Sequence, residues 1–405
     1  MREQLVIVGG GQAAVQAIQT LRQHGYDGKI ALLADEPHPP YQRPPLSKKY
    51  LAGELPRERL YLKPESFYAS RDVDRFLGTP AMEIDILGGR VRLSDGDALR
   101  YDRLLLATGG RARRITAPGA DLAGIHYVRS IGDIDAVAPQ LRPGAKMVIV
   151  GAGYIGLEVA AVARGLGLDV TVLEAADRVL SRVVCRETAD FYARCHAAAG
   201  VEIHCSTQVA GFRGKDFVTG VSSANGEVFS CDVVIVGIGV VPNVEIAERA
   251  GLHCDNGIRV DPCARTADPR IVAAGDCTNH PHPFVGRSIR LESVHNAVEQ
   301  GRSAAMSLLG HAHPFADVPW FWSDQYDLKL QIVGLALDYD EVVLRGDPES
   351  RSFAMYYLAA GRPIAIDAVN SPRDFMHGKK LLAARPTIPT AAIADPGTDL
   401  MQFVA

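Results

Sequence analysis

Two glycine-rich turns, Gly9-Gly10-Gly11 and Gly151-Ala152-Gly153, each follow a short hydrophobic run (Leu5–Val8 and Met147–Val150) and each lead into a helical pattern. Glycine lets the main chain turn tightly, and it leaves room for a phosphate to reach the N–H groups and the positive end of the following helix. In both units a carboxylate ends the next strand pattern: Asp35 after residues 29–33, and Glu174 after residues 169–173. Both fall slightly beyond the spacing of about 20 residues at which an acid accepts hydrogen bonds from an adenosine ribose. Two such units in one chain predict two dinucleotides held close enough to exchange electrons.

The elements that must position these turns follow from the pattern around them. The first helix runs to about His24, and residues 78–109 read as β-structure with a turn at Asp95-Gly96 and a last apolar strand entering Thr108-Gly109-Gly110. The second unit continues with a helix to about Leu166, a helix over 185–199 stopped by Gly200, a strand over 201–205, and a core strand over 232–237 that enters Gly237–Asn243. A buried strand over 271–276 and a small-residue helix over 296–309 then return to the first pattern, so the second unit is inserted within the first. From about Asp317 the chain shifts to strands bearing Trp320, Trp322, Tyr326, Tyr356 and Tyr357, followed by a helix near 372–384. The expected fold class is α/β: two Rossmann-like dinucleotide-binding domains, the second inserted in the first, plus a C-terminal α+β domain. The expected boundaries are 1–112 with 242–316, 113–241, and 317–405.

A chain of 405 residues, 47% apolar and with a formal charge of −4, suits a large globular enzyme and offers no basic tract for nucleic acid. No apolar run approaches the roughly 18 residues of a membrane span. The first strand begins a few residues after Met1, which leaves no room for a leader, so a cytoplasmic protein is expected, and a monomer is the expected oligomeric state. Seven cysteines form no Cys-x-x-Cys, Cys-x-Cys or Cys-Cys pair and read as buried free thiols. Cys277, His280 and His282 lie among Pro281 and Pro283, which predicts an irregular loop with solvent-exposed histidines and no metal site.

Taken together, Gly9–Ala14, Arg43-Pro44-Pro45-Leu46-Ser47-Lys48, Ala107-Thr108-Gly109, Gly151–Glu158, Gly237–Asn243, Ala274-Gly275-Asp276 and Trp320-Phe321-Trp322-Ser323-Asp324-Gln325 resemble the FAD-dependent ferredoxin reductases of the glutathione-reductase-like superfamily. The matching branch includes putidaredoxin reductase and the reductases of aromatic-ring dioxygenases. The resemblance implies FAD on the first unit, with Gly9, Gly11 and Ala13 around the pyrophosphate and Asp35 on the ribose. It further implies cationic contacts from Arg43 and Arg129, a backbone contact from Ala81 to the adenine, Asp276 at the ribityl or phosphate region, and Val294 near the isoalloxazine. Lys48 is implied beside flavin N5, its approach stiffened by two prolines and Ser47 able to cap a helix. NADH is implied on Gly151, Gly153, Ile155 and Gly156, with Gly239, with Glu174 on its ribose, and with Arg182 a candidate for a cofactor phosphate. Ala175 and Ala176 follow Glu174 where a 2′-phosphate would require arginine, so NADH is preferred over NADPH. Glu158 is implied near the nicotinamide, paired with Lys48, and Trp322 at the exposed side of the flavin.

The implied chemistry is hydride transfer from NADH to FAD and onward release of single electrons. Residues 39–51 contain no cysteine, unlike the disulfide-reducing members of the superfamily, so the acceptor is expected to be external. A two-iron ferredoxin feeding a haem monooxygenase or ring-hydroxylating oxygenase leads, with Arg290, Arg302, Lys329, Lys379 and Lys380 as candidate docking cations. Three other readings share the motifs: a reductase of monodehydroascorbate or a quinone, a rubredoxin reductase, and a redox-signalling flavoprotein resembling apoptosis-inducing factors.

Overall fold

The computed structural model describes residues 2–404, which group into two compact units. The first comprises the chain up to Gln42, Arg57–Arg111 and Val241–Asp317. Its centre is a parallel five-stranded sheet in the order Ile271–Ala273, Arg103–Leu106, Gln4–Val8, Lys29–Ala34, Val73–Leu77. Strands buried on both faces must be apolar throughout, as Leu5-Val6-Ile7-Val8 is. Alternation sends Leu5 and Ile7 into one core, with Ala14, Ile18 and Leu21 of the helix Gln12–Gln23 and Ala304 and Leu308 of the helix Val294–Leu308. Val6 and Val8 enter the opposite core with Leu104, Leu106, Ile246 and Ile258.

One expectation fails in this unit. Residues Thr278–His282 form a strand paired antiparallel with Arg287–Ile289, and His280 and His282 are buried, with 2% and 1% of their surface exposed. The reason is aromatic packing: both rings lie against Phe315, at 5.6 and 5.1 Å between centroids. Gln300 Nε2 donates to His280 Nδ1 at 2.8 Å. Burial, with His282 alongside, lowers the His280 pKa to about 4.

The second unit comprises Arg43–Pro56, Ala112–Val240 and the chain from Val318 onward. Arg43–Pro56 groups here, although the sequence places it within 1–112. The unit contains a second parallel five-stranded sheet, ordered Glu202–His204, Asp169–Leu173, Lys146–Val150, Val233–Val236, Ile125–Tyr127. Val148, Val150, Val234 and Val236 face an antiparallel three-stranded cover through Phe212 and Val221. It also contains an antiparallel five-stranded sheet, ordered Trp320–Gln325, Leu328–Gly334, Arg362–Val369, Ser352–Ala359, Glu341–Asp347, carrying the helix Pro372–Ala384.

The helix Arg186–Ala198 is tied to this last sheet by Phe191 on Phe353, centroids 4.9 Å apart. Beside that contact, Cys185 N donates to Tyr357 Oη at 2.7 Å, and both Tyr357 Oη and Thr188 Oγ1 donate to the buried Asp367. Burial pushes the Asp367 carboxyl up to about 7. All seven cysteines are free, but only Cys185, Cys231 and Cys277 are buried; Cys195, Cys205, Cys254 and Cys263 are half-buried.

Candidate active site

In the first unit the glycine turn leaves the strand Gln4–Val8 with Gly9 at φ +115°, where a Cβ would stand 2.0 Å from the carbonyl oxygen of Ala107. Only glycine fits there. The helix Gln12–Gln23 then starts from Gly11 without a side-chain cap and without an acidic residue in its first turn, so the leading N–H groups are left for an anion. Space opens beyond Gly11, while Ala13 is buried in the helix interface. Asp35 is exposed just past the strand Lys29–Ala34, and its neighbour Glu36 accepts the Tyr41 hydroxyl at 2.6 Å. Ala81 opens a strand of the antiparallel sheet Ala81–Asp85, Arg90–Leu93, Ala98–Arg100; Asp276 is half-buried just past Ile271–Ala273. Val294 begins the helix capped by Ser293, whose Oγ accepts from Asn296 N at 3.1 Å. An uncapped helix start beside a glycine that no other residue can replace fits a dinucleotide pyrophosphate.

The second unit repeats the arrangement and adds a clamp. Gly151 has φ +101°, and Gly156 packs against its carbonyl oxygen, where a Cβ would approach to 2.0 Å. The helix Tyr154–Gly165, with Ile155 in its first turn, again starts from an uncapped glycine, Gly153, with no acid in that turn. Glu174 Oε2 accepts from Ala152 N at 2.6 Å and its Oε1 accepts from Ala176 N at 2.8 Å. Each carboxylate oxygen keeps a second lone pair for another donor, as ribose hydroxyls would supply. The Arg182 guanidinium lies beside Gly239, 3.9 Å from the place a Cβ would occupy there. Arg43 Nη1 donates to the carbonyl of Arg129 at 2.5 Å.

The same unit assembles a buried charge pair. Lys48 Nζ is 2.8 Å from Glu158 Oε1, with side-chain exposures of 16% and 4%. Glu158 also accepts the Ser47 hydroxyl at Oε2, at 2.5 Å, and the Ser323 hydroxyl at Oε1, at 2.6 Å. Donors on both oxygens hold a desolvated carboxylate as an acceptor. Ser47 therefore does not cap a helix as its position suggests. It ends the 3₁₀ turn Pro44–Ser47, and its hydroxyl is committed to Glu158. The Lys48–Glu158 pairing is the one the resemblance implies, whereas the serine contacts carry no local signal, because Ser47 and Ser323 lie 111 and 165 positions from Glu158.

Trp322 is half-buried on the strand Trp320–Gln325, 5.6 Å from Trp320 between ring centroids. The Lys379 ammonium sits 4.2 Å over the Trp320 ring and 4.5 Å over Phe375, and burial lowers its pKa, so it projects less freely than an open surface cation. Lys329 and Lys380 are exposed. In the first unit Arg290 pairs with Glu292, and Arg302 with Glu299 one helical turn away. His295, Glu299 and Asp317 offer ligand atoms within 4.8 Å of one another. No helix of the described residues is long and apolar enough to cross a membrane.

Comparison with known proteins places these features in context. Residues 3–301 match the family described as pyridine nucleotide-disulphide oxidoreductase, and residues 320–404 match the reductase C-terminal family. The chain is 43% identical over 402 residues to rhodocoxin reductase of Rhodococcus erythropolis, covering 99% of this chain and 94% of that protein. The crystal structure of the covalent putidaredoxin reductase–putidaredoxin complex matches with a TM-score of 0.96 at 39% identity, over 99% of this chain and 98% of that one. A ferredoxin reductase from Rhodopseudomonas palustris matches with a TM-score of 0.96 at 40% identity over the full length of both chains.

Proposed function

Since the chain belongs to the pyridine nucleotide-disulphide oxidoreductase family and carries its reductase C-terminal domain, we propose that it is a cytoplasmic, monomeric FAD-dependent NADH:ferredoxin reductase. Its carrier would be a two-iron ferredoxin that feeds a haem monooxygenase or ring-hydroxylating oxygenase. We divide it into an FAD domain (1–112 and 242–316), an NADH domain (113–241) and a C-terminal domain (317–405). When bound, NADH supplies a hydride that FAD accepts and passes on as single electrons.

The protein's own part is binding, orientation and charge. Gly9, Gly11 and Ala13 would hold the FAD pyrophosphate, with Asp35, Ala81, Asp276 and Val294 along the rest of the molecule and Arg43 and Arg129 supplying cations. Gly151, Gly153, Ile155 and Gly156 would seat NADH, with Gly239 also at the cofactor, Arg182 near a cofactor phosphate and Glu174 on the ribose. A carboxylate at that position repels a 2′-phosphate, which favours NADH. The observation that carries the reading is the buried Lys48–Glu158 pair, with Nζ 2.8 Å from Oε1. A fixed ammonium stabilises negative charge arriving at the flavin without reorganisation during the step. Trp322 would shield the flavin. The names of the similar proteins support a ferredoxin as acceptor, and a segment 39–51 without cysteine supports direct export of electrons. Arg290, Arg302, Lys329 and Lys380 are the proposed docking cations.

Anaerobic titration of the purified yellow protein with NADH, followed by turnover with a panel of two-iron ferredoxins, tests the proposal. Bleaching by NADH and ferredoxin-dependent turnover are expected. Fast turnover with a quinone or monodehydroascorbate but none with any ferredoxin would move the assignment to a small-molecule reductase, and failure to take up flavin would overturn it altogether.

A further inference from the structure

A continuous line of hydrogen bonds leads away from Glu158 to the surface of the same unit. Ser323 Oγ donates to Glu158 Oε1 at 2.6 Å, Gln325 Nε2 donates to Ser323 Oγ at 3.2 Å, His196 Nε2 lies 2.8 Å from Gln325 Oε1, and Tyr326 Oη lies 3.0 Å from His196 Nδ1. Ser323, Gln325 and His196 are each 0–1% exposed, whereas Tyr326 is 39% exposed. Alternation along the strand Trp320–Gln325 sends Ser323 and Gln325 to the same buried face. His196 comes from the helix Arg186–Ala198. Tyr326 occupies the two-residue turn between Gln325 and Leu328 at φ +55°, a conformation disfavoured for a tyrosine, with its ring 5.0 Å from that of His196.

The direction of every bond follows from the atoms available. Glu158, paired with Lys48, can only accept, so the single Ser323 proton points to it. Ser323 Oγ must then accept from its other neighbour, which orients the Gln325 amide with nitrogen toward Ser323 and oxygen toward His196. That oxygen can only accept, so His196 carries its proton on Nε2. In the neutral ring favoured by burial, Nδ1 accepts from Tyr326. All four donors point toward the carboxylate that holds Lys48.

We infer that His196 and Gln325, with Tyr326 at the outer end, are positioning residues that act through Ser323 to keep Glu158 an oriented acceptor and Lys48 in one place. This rests on the reading that Lys48 faces the flavin. Without Gln325 the Ser323 hydroxyl loses the donor that orients it and turns away from Glu158 for part of the time. The Lys48 ammonium then samples more than one position, and a displacement on the order of 1 Å at a reacting centre is enough to slow a transfer step.

The test uses the full-length, FAD-loaded protein and three readouts: the stopped-flow rate of flavin reduction by NADH, the flavin midpoint potential and the thermal unfolding midpoint. Gln325→Leu and Ser323→Ala should each slow flavin reduction about five- to tenfold, the equivalent of one buried hydrogen bond, and shift the potential. Ser323→Thr, which keeps the hydroxyl, should restore both. In a Lys48→Met background Gln325→Leu should add no further loss, because the line has no ammonium left to position. Wild-type rate and potential in Gln325→Leu, or an equal loss with and without Lys48, would overturn the inference and leave the line a structural strut. A wild-type rate in Lys48→Met alone would instead overturn the placement of Lys48 at the flavin. If Gln325→Leu yields no folded flavoprotein, the Ser323→Ala and Ser323→Thr pair decides by the same criteria.

Discussion

Glu174 Oε2 accepts the amide proton of Ala152 at 2.6 Å, so the acid that ends one strand closes the glycine turn that follows its neighbour. Its other oxygen holds Ala176 N at 2.8 Å. Glu174→Ala removes both bonds and the proposed ribose acceptor, and it should weaken NADH binding by about 1–3 kcal/mol. Because the repelling charge also goes, the ratio of NADPH to NADH turnover should rise. Michaelis constants for the two nucleotides check this; an unchanged constant for NADH would remove Glu174 from the site.

Lys48 and Glu158 should respond differently to neutralisation. Lys48→Met leaves a buried carboxylate with only two serine hydroxyls, so it should cost about 3–5 kcal/mol of stability and slow flavin reduction. Glu158→Gln removes the charge that needs a counterion, so its stability loss should be smaller. Denaturant unfolding, read together with stopped-flow reduction, separates the two. Equal stability losses would mean that the pair is solvated in solution.

The Asp367 carboxyl is pushed up to about 7 by burial, above the unfolded value near 3.9. Between these two values the folded state binds more protons than the unfolded state, so this group's contribution falls as pH rises through the window and levels off above it. Wild-type Tm should therefore drop from pH 5 to pH 8 by more than that of Asp367→Asn, which cannot ionise. Parallel Tm profiles for the two proteins would show that Asp367 ionises normally.

Docking through Arg302 carries a two-sided expectation, because its guanidinium is paired with Glu299. Arg302→Glu should raise the Michaelis constant for an acidic ferredoxin and leave NADH-driven flavin reduction unchanged. Glu299→Gln, which releases the arginine, should lower that constant. Both effects should shrink as salt shortens the Debye length to about 8 Å and below. Movement of the two constants in the same direction would exclude Arg302 from the docking surface.

What the sequence makes legible depends on how far apart the interacting residues lie along the chain. Both proposed nucleotide cradles are continuous stretches, residues 4–35 and 146–174, in which a strand, a tight turn, a helix and a carboxylate follow one another. Their geometry is set by local backbone conformation, so residue types and spacing are enough to read them. The parallel sheets were legible for the same reason, as uninterrupted apolar runs such as Leu5–Val8.

The partners of side chains were another matter. The prolines around His280 and His282 suggested an exposed loop, but Phe315, more than thirty positions away, makes that face an aromatic core. Lys379, a candidate docking cation by sequence, has its ammonium over the Trp320 ring, a contact that its own neighbours in sequence do not signal. Ser47 looked like a cap, and its hydroxyl serves Glu158 instead. What the sequence alone determined was the presence of two nucleotide-binding units and their order along the chain. The hydroxyls, amide and imidazole that stand around the Lys48–Glu158 pair come together only through the packing of separate strands and helices and the face each strand's pleat presents.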